Sequence, residues 1–357
     1  VGTIDQALID LILEHQIDLL RFEAGVRARV LAVLNRLQAE LAQTLAGGDL
    51  TEFTKARTQQ MLRQATAVID RYYATGQAVL STSMAGAARA TAETTAQALG
   101  PALRIVLAVG LPTETFLARV ASNALLLGSS SADWWLRQSQ DTAWRFSTAV
   151  RQGIAAGEAN EQIVRRVVGS PRLGIPGVMD VARSNARSLV HTSIQAAANE
   201  ARMETFRRNA DALSGIRWLA TLDVHTCPIC GPRDRKRYTL LDDPPKPQGH
   251  SLAWEGGPGV IHWGCRCVAV AVTKTYKELG IDAEEAKPGR RASSDGPVSA
   301  GMDFEAFLRR KGKAWQDEAL GPGRADLWRD NKLTLEQLLS LDGTRIMTVG
   351  QLRARYA

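Results

Sequence analysis

The sequence predicts a mainly α protein with a small α+β module: elongated N-terminal helices, a Cys/His-stapled C-terminal module and a helical C-terminal arm. Three observations carry this reading. An apolar stripe at helical spacing runs through the first 46 residues, all four cysteines fall between Cys227 and Cys267, and two short strand-like runs flank that cluster. The expected boundaries are 1–175 for the elongated helices, 178–285 for the module, 286–300 for a linker and 301–357 for the arm.

Residues 4 to 46 read as one helix. Its stripe is Ile4, Leu8, Leu11, His15, Leu19, Phe22, Val26, Val30, Val33, Leu37, Leu41 and Leu45, a mean spacing of about 3.7, which suits a nearly straight helix. Gly47 and Gly48 end it. Such a rod would be about 60 Å long and needs partner helices to cover its stripe. A second helix runs from about Thr51 to Leu99 over Phe53, Met61, Leu62, Val68, Ile69, Tyr72, Tyr73 and Val79. Its later half, Ser81 to Ala98, carries only small side chains, which suits either a crowded interface or loose packing. Gly100-Pro101 and Leu111-Pro112 punctuate the chain, and Thr113 is placed to cap a third helix.

After the glycine and serines at 128–131, a helix carries Trp134, Trp135, Leu136, Trp144 and Phe146, read as core or interface filler. Gly169–Gly177 is a loop. Residues 178 to 210 follow as a helix with Val181, Ala182, Leu189, Val190, Ile194, Ala197, Ala201 and Phe206 on one side. Arg183, Arg187, Arg202, Arg207 and Arg208 lie on the other, read as a solvated face. At Gly215 the pattern turns to strand, and Val268–Val272 is a second strand, apolar throughout and therefore covered on both faces. The last block is helical again, with Phe304, Phe307, Leu308 and Trp315 on one face.

Composition narrows the function. The chain has 357 residues, 45% hydrophobic and 23% charged, which is a globular composition, and its length suits two or three folding units. No apolar run approaches the 18–20 residues that cross a bilayer, and Asp5, Asp10 and Glu14 within a helical pattern are unlike a secretory signal peptide. A net charge of +7 is a mild bias toward polyanions.

The chemistry lies in Cys227-Pro-Ile-Cys230 and His262-Trp-Gly-Cys265-Arg-Cys267. A C-x-x-C turn presents two thiolates to one tetrahedral ion, and Cys265 and Cys267 point to one side if their segment is extended. Cys227, Cys230, His262, Cys265 and Cys267 offer five ligands for four positions, with His225 and His250 in reserve. The expected set is Cys227, Cys230, Cys267 and one of His262 or Cys265, holding a structural zinc; disulfides between the halves and reduced thiols without metal are the competing states. A catalytic zinc needs an open position and a nearby base, which a thiolate-rich site does not favour. Arg233, Arg235, Lys236 and Arg237 form the densest basic run, either a solvated hairpin loop or a contact with DNA or an acidic partner.

The run G-I-R-W-L-A-T-L-D-x-x-T-C-P-I-C-G from Gly215, and H-W-G-C-R-C from His262, resemble the phage Mu F-like family of minor head, or head morphogenesis, proteins. The C-terminal stretches from Phe304, Trp315 and Leu333 resemble sequences in the same proteins, so the resemblance covers about residues 178 to 350. Trp263 replaces the proline usual in the family's ending, and Val190-His191-Thr192-Ser193-Ile194 stands where members carry an Arg-Thr-Glu-Thr-like stretch. The resemblance implies a structural protein of a tailed-phage virion, made in the host cytoplasm and recruited in several copies beside the portal. The implied partners are portal or major capsid protein, and packaged DNA through the basic patches. It implies no catalytic residues. The competing class is an enzyme packaged in the virion, a metal-dependent nuclease or a toxin-like activity. A ββα-metal nuclease shares C-x-x-C and a central His, but Gly249-His250-Ser251 lacks the paired Asp-His or His-His of such enzymes.

Overall fold

The computed structural model describes residues 6–47, 55–103, 109–170, 174–280, 289–330 and 332–356. Expectations at Ile4, Gly48, Thr51, Phe53, 171–173 and 286–288 lie outside them. Three long helices dominate: α1 (Gln6–Ala46), α2 (Lys55–Leu103) and α6 (Val178–Arg208). Shorter elements lie between them: α3 (Glu114–Asn123), the hairpin β1 (Leu125–Leu126) and β2 (Ser129–Ser130), α4 (Ser131–Ala155) and α5 (Asn160–Val168). Thr113 Oγ1 accepts from the Phe116 amide, as its N-cap reading requires. The structure carries α2 through Gly100-Pro101 to Leu103. None of the described helices is long and apolar enough to cross a membrane.

The chain divides into two compact units that do not follow chain order. One comprises Leu19–Ala87 and Ala118–Ala197; the other comprises Val1–Asp18, Ala88–Leu117 and Ala198–Ala357. The long helices thus serve both, which the linear division at residue 175 does not capture.

The first unit is a helical assembly. Val26, Val30, Leu34 and Leu37 of α1, Ile69 and Leu80 of α2, Trp135 and Phe146 of α4, and Leu189 and Ile194 of α6 are buried in it. Polar side chains join the helices: Tyr73 Oη lies 2.7 Å from Thr142 Oγ1, Ser139 donates to Asp70, and Arg71 and Tyr72 donate to Glu40. His191, in the stretch that departs from the family pattern, puts Nδ1 2.7 Å from the buried Glu23 carboxylate. Gly76 admits the Trp135 ring, because a Cβ there would lie 2.7 Å from Cζ2.

The second unit contains the four-stranded antiparallel sheet, in the order β5 (Pro247–Gln248), β4 (Arg237–Tyr238), β3 (Leu213–Leu219) and β6 (Val268–Thr273). Register pairs Ile216 with Ala271 and Trp218 with Ala269. Every residue of β6 is buried, as its unbroken apolar run requires. Leu8 and Ile12 of α1, Leu99 of α2 and Phe206 of α6 share a core with the sheet, and Trp218, Tyr238 and Trp254 meet edge-on or tilted within it. The small-residue half of α2 is the crowded case: Thr91, Ala92, Thr95 and Ala98 are at most 1% exposed.

Two expectations need correction. Arg202 is not on a solvated face; it is buried, its Nε and Nη2 have no hydrogen-bond partner among the described residues, and burial lowers its pKa to about 10. The segment read as a linker carries a hairpin, β7 (Arg290–Arg291) and β8 (Val298–Ser299), docked through the buried Arg291. The C-terminal block is helical, as the sequence predicts. Its helices α7 (Phe304–Arg309), α8 (Lys313–Leu320), α9 (Pro322–Arg329) and α10 (Val349–Tyr356) share one core with Leu222 of the cysteine module.

Candidate metal centre

The two halves of the cysteine cluster meet at one end of the strand pair, where Leu219 of β3 lies opposite Val268 of β6. β3 runs out at Leu219 and the chain turns through Asp223 into Cys227; His262, Cys265 and Cys267 precede β6, which pairs back on β3. The first half is a tight turn in which the amides of Cys230 and Gly231 both donate to the Cys227 carbonyl, at 3.0 Å. Asp223 accepts from the His225 amide at 3.0 Å and takes a bidentate bond from Arg266, 2.7 Å on each oxygen. One carboxylate therefore ties the C-x-x-C turn to the residue between Cys265 and Cys267. Arg266 also holds that carboxyl below its usual range, outweighing the burial that would raise it.

Two ligand groups overlap at Cys230. Cys227, Cys230 and His262 form one, and Cys230, Cys265 and Cys267 the other, with donor atoms within 4.8 Å in each. His262 Nε2 lies 3.1 Å from Cys227 Sγ and 3.2 Å from Cys230 Sγ, and the sulfurs of Cys230 and Cys265 are 3.7 Å apart. Sulfurs at about 2.3 Å from a tetrahedral ion stand about 3.8 Å from each other, so the sulfur spacing is that of an edge of such a site. Three of the four thiols are buried and Cys227 partly so; none is in a disulfide.

The surroundings favour ionised sulfur at Cys227 and Cys265 and oppose it at Cys230 and Cys267. The Gly259 amide points at Cys265 Sγ, 3.3 Å away. Hydrogen bonds from Cys230, then His262, bring the Cys227 thiol down to about 5, and Cys230 and Cys267 hold Cys265 well below the ordinary thiol range. Burial alone would lower the His262 pKa, but Cys227 and Cys265 overcome it and push the imidazole up to about 11. Hydrogen bonding to Cys227, Cys265 and Cys267 pushes the Cys230 thiol well above the ordinary range. Clustered sulfurs that share protons and draw a cation toward them are a donor set suited to a thiophilic divalent ion, which would ionise the remaining thiols outright. The Trp263 carbonyl lies 2.9 Å from His262 Nδ1, which presents Nε2 to the sulfurs.

The reserve histidines stand apart. His225 is exposed and in neither group. His250 uses both ring nitrogens, at the Arg237 carbonyl (2.8 Å) and the Leu252 amide (3.3 Å), and packs on Tyr238.

The basic run is corrected at its first member. Arg233 is completely buried, with Nη1 on the carbonyls of Ile229 and Gly343, Nη2 on that of Ala253, and its guanidinium over the Trp218 ring. It fastens the C-x-x-C turn to two distant loops and is not a surface contact. Asp234, the lone acid in that run, is also buried. It pairs with Arg291 at 2.8 Å and accepts from the Ala220 amide, while burial raises its pKa. Arg235, Lys236 and Arg237 remain half-buried, and Arg237 donates to Ser214. Sequence reasoning passed over the Asp234–Arg291 pair, although an acid enclosed by four bases was its one available signal.

The fold and the cluster together define a helical protein bearing an α+β module whose long loop is gathered by cysteines and a histidine. Residues 145–270 match the family model described as Phage Mu protein F like protein, so the chain is similar to that family from the middle of α4 to β6. That span is about a third of the chain and stops short of the C-terminal stretches whose resemblance was noted from sequence. No significant match was found among curated proteins or among solved structures.

Proposed function

We propose that this chain is a structural minor head protein of a tailed phage, acting in head morphogenesis at or near the portal and contacting portal or major capsid protein in several copies. The observation that carries the reading is the Mu F-like match over residues 145–270, which spans the whole cysteine cluster. Within it, Cys227, Cys230, Cys265 and His262 hold a zinc ion, with Cys267 the buried thiol behind them. The ion closes a loop of which Cys230 and Cys265 are the ends, and so supplies folding energy to a segment with little regular secondary structure.

The non-enzymatic reading is supported by the side chains. The histidine nearest to a nuclease-like position, His250, is engaged on both nitrogens, and the sulfur-rich donor set leaves no evident place for substrate on the ion. The test is to complement a phage lacking this gene with the wild-type chain and with Cys230→Ser. Loss of the protein from heads, together with defective head assembly, is the expected result. Normal heads that carry the variant and fail only after DNA delivery would instead favour a packaged enzyme.

A further inference from the structure

The net charge of +7 is not shared. The Leu19–Ala87 and Ala118–Ala197 unit has 17 Lys and Arg against 10 Asp and Glu, whereas the other unit has 27 of each. Sixteen of the 17 cations are arginine, which presents a planar fork to phosphate oxygens.

Within this unit, α4 carries a stripe that packing does not explain. Its inward side buries Trp135, Ser139, Thr142, Phe146 and Val150. On another side, Arg137, Trp144 and Arg151 follow at intervals of seven residues, so they share one helical face with a rise of about 10 Å between neighbours. All three are exposed, Trp144 at 65%. Neither arginine makes an ion pair with a carboxylate among the described residues, and the Arg137 guanidinium lies 5.7 Å over the ring of Trp134. A largely exposed indole thus stands between two arginines that pair with no carboxylate among the described residues.

We propose that this face of α4 binds DNA, with Arg137 and Arg151 on backbone phosphates and Trp144 against a base or sugar. The proposal rests on the virion reading above, and places the DNA contact on the helical unit instead of the basic run at 233–237. Charge complementarity selects the occupant. A purely apolar partner would have to desolvate two unpaired guanidinium groups, whereas a nucleic acid offers phosphates at the ends of the stripe and a π-face or sugar at its centre. Successive phosphates of one duplex strand rise about 3.4 Å, so the two arginines reach different phosphates and each acts as a separate counterion-releasing contact.

The test uses the full chain with its metal and fluorescein-labelled oligonucleotides, one single-stranded and one duplex, followed by anisotropy over a series of salt concentrations. Wild-type protein is expected to bind with salt-dependent affinity and with quenching of tryptophan fluorescence. Arg137→Glu/Arg151→Glu is expected to weaken binding at least tenfold and to reduce the slope of log affinity against log salt by roughly 2. Trp144→Ala is expected to weaken it about tenfold and to abolish most of the quenching. Arg345→Glu/Arg353→Glu, the same charge change at exposed sites of the other unit, should stay within twofold of wild type.

Tighter binding of one oligonucleotide form decides between packaged duplex and exposed single strand. Absence of DNA binding by the wild type, equal losses in both double variants, or preferential binding of polyglutamate would each overturn the proposal, the last in favour of an acidic polypeptide. Head incorporation of the Arg137→Glu/Arg151→Glu variant is scored separately. Heads that contain the variant leave the structural reading intact whatever the anisotropy shows, and absence of the wild-type chain from heads defeats that reading alone.

Discussion

The two units keep their folds by different means. The Leu19–Ala87 and Ala118–Ala197 unit is made of helix faces that bury one another, with side-chain hydrogen bonds such as Tyr73–Thr142, Ser139–Asp70 and Arg71–Glu40 between helices. The other unit contains long stretches with little regular structure, and it fixes them at points: the Cys/His cluster, the Asp223–Arg266 fork, the buried Asp234–Arg291 pair and Arg233 on three carbonyls. Distributed packing tolerates the loss of one contact better than point fastening does. The basic unit also has 17 cations against 10 acids, so some of its arginines have no carboxylate to pair with.

Removal of the cluster should give the largest effect. Cys230 belongs to both ligand groups, so Cys230→Ser, or a strong chelator, is expected to release the ion and unfold the module. Structural zinc contributes on the order of 10 kcal/mol of apparent binding energy to folding. Elemental analysis and near-ultraviolet circular dichroism, which reads Trp218 and Trp254 in this unit, report the two events together. Far-ultraviolet helicity should fall much less. Retention of the near-ultraviolet signal after the ion is gone would mean that the sulfurs do not fasten this unit.

The buried ion pair comes next. Asp234→Asn leaves the Arg291 guanidinium enclosed without its carboxylate and should cost about 3–5 kcal/mol, read as a fall in the urea midpoint. Arg291 also donates to the Ala220 and Met302 carbonyls, so the hairpin it anchors should loosen before the rest of the module does. Asp234→Leu/Arg291→Met should recover part of the loss, because no charge is then left buried alone. A double variant no better than the single one would assign the effect to packing.

The long helices were legible in the sequence because a stripe at 3.6–3.7 spacing is a local property that the fold keeps. Thr113 and the strand at Val268 were legible for the same reason: one is a cap side chain, the other an unbroken apolar run. The five candidate ligands were also readable, since metal spacing is local within each half. Which of them meet is a long-range matter. The geometry puts His262 with Cys227 and Cys230, and both Cys265 and Cys267 with Cys230; the sequence pointed to Cys227, Cys230, Cys267 and one of His262 or Cys265, and spacing alone does not choose between the last two. Composition misled at 286–300, where a run rich in Gly, Ser and Pro conceals one arginine that finds a buried acid 57 positions away. It misled again at Arg233, whose hydrogen bonds run to backbone carbonyls that leave no mark on a sequence.

Glycine positions compare the units directly. A Cβ at Gly231 would lie 2.6 Å from the Phe304 ring, and one at Gly76 would lie 2.7 Å from Trp135. Both rings are fully buried, so Gly231→Ala and Gly76→Ala are each expected to cost about 1–3 kcal/mol by overpacking. The difference should appear in metal affinity. Gly231 adjoins Cys230, and its amide closes the C-x-x-C turn, so only Gly231→Ala should weaken zinc retention in a chelator competition. Equal retention in both variants would uncouple the turn from the C-terminal helices.

The smallest expected effect concerns pH. His15 lies in the neutral unit, with Nε2 2.9 Å from Thr91 Oγ1, and burial, then the nearby Arg202 charge, lowers its pKa to about 4. The unfolded chain, with an ordinary histidine pKa near 6.5, therefore binds a proton between about pH 6.5 and 4 that the folded chain refuses. The stability linked to His15 is complete above the unfolded value and is lost as pH falls toward the folded one. Acid also competes with a metal for the sulfurs and His262, so the wild-type pH profile alone mixes two causes. Comparing wild type with His15→Gln separates them, because cluster protonation is common to both. Urea midpoints at pH 7 and pH 5 should fall further for wild type than for His15→Gln. The gap should be modest, since His15 is only partly buried and solvent screens it. Parallel profiles would place the whole acid sensitivity of this unit in its cysteine cluster and none in its helical core.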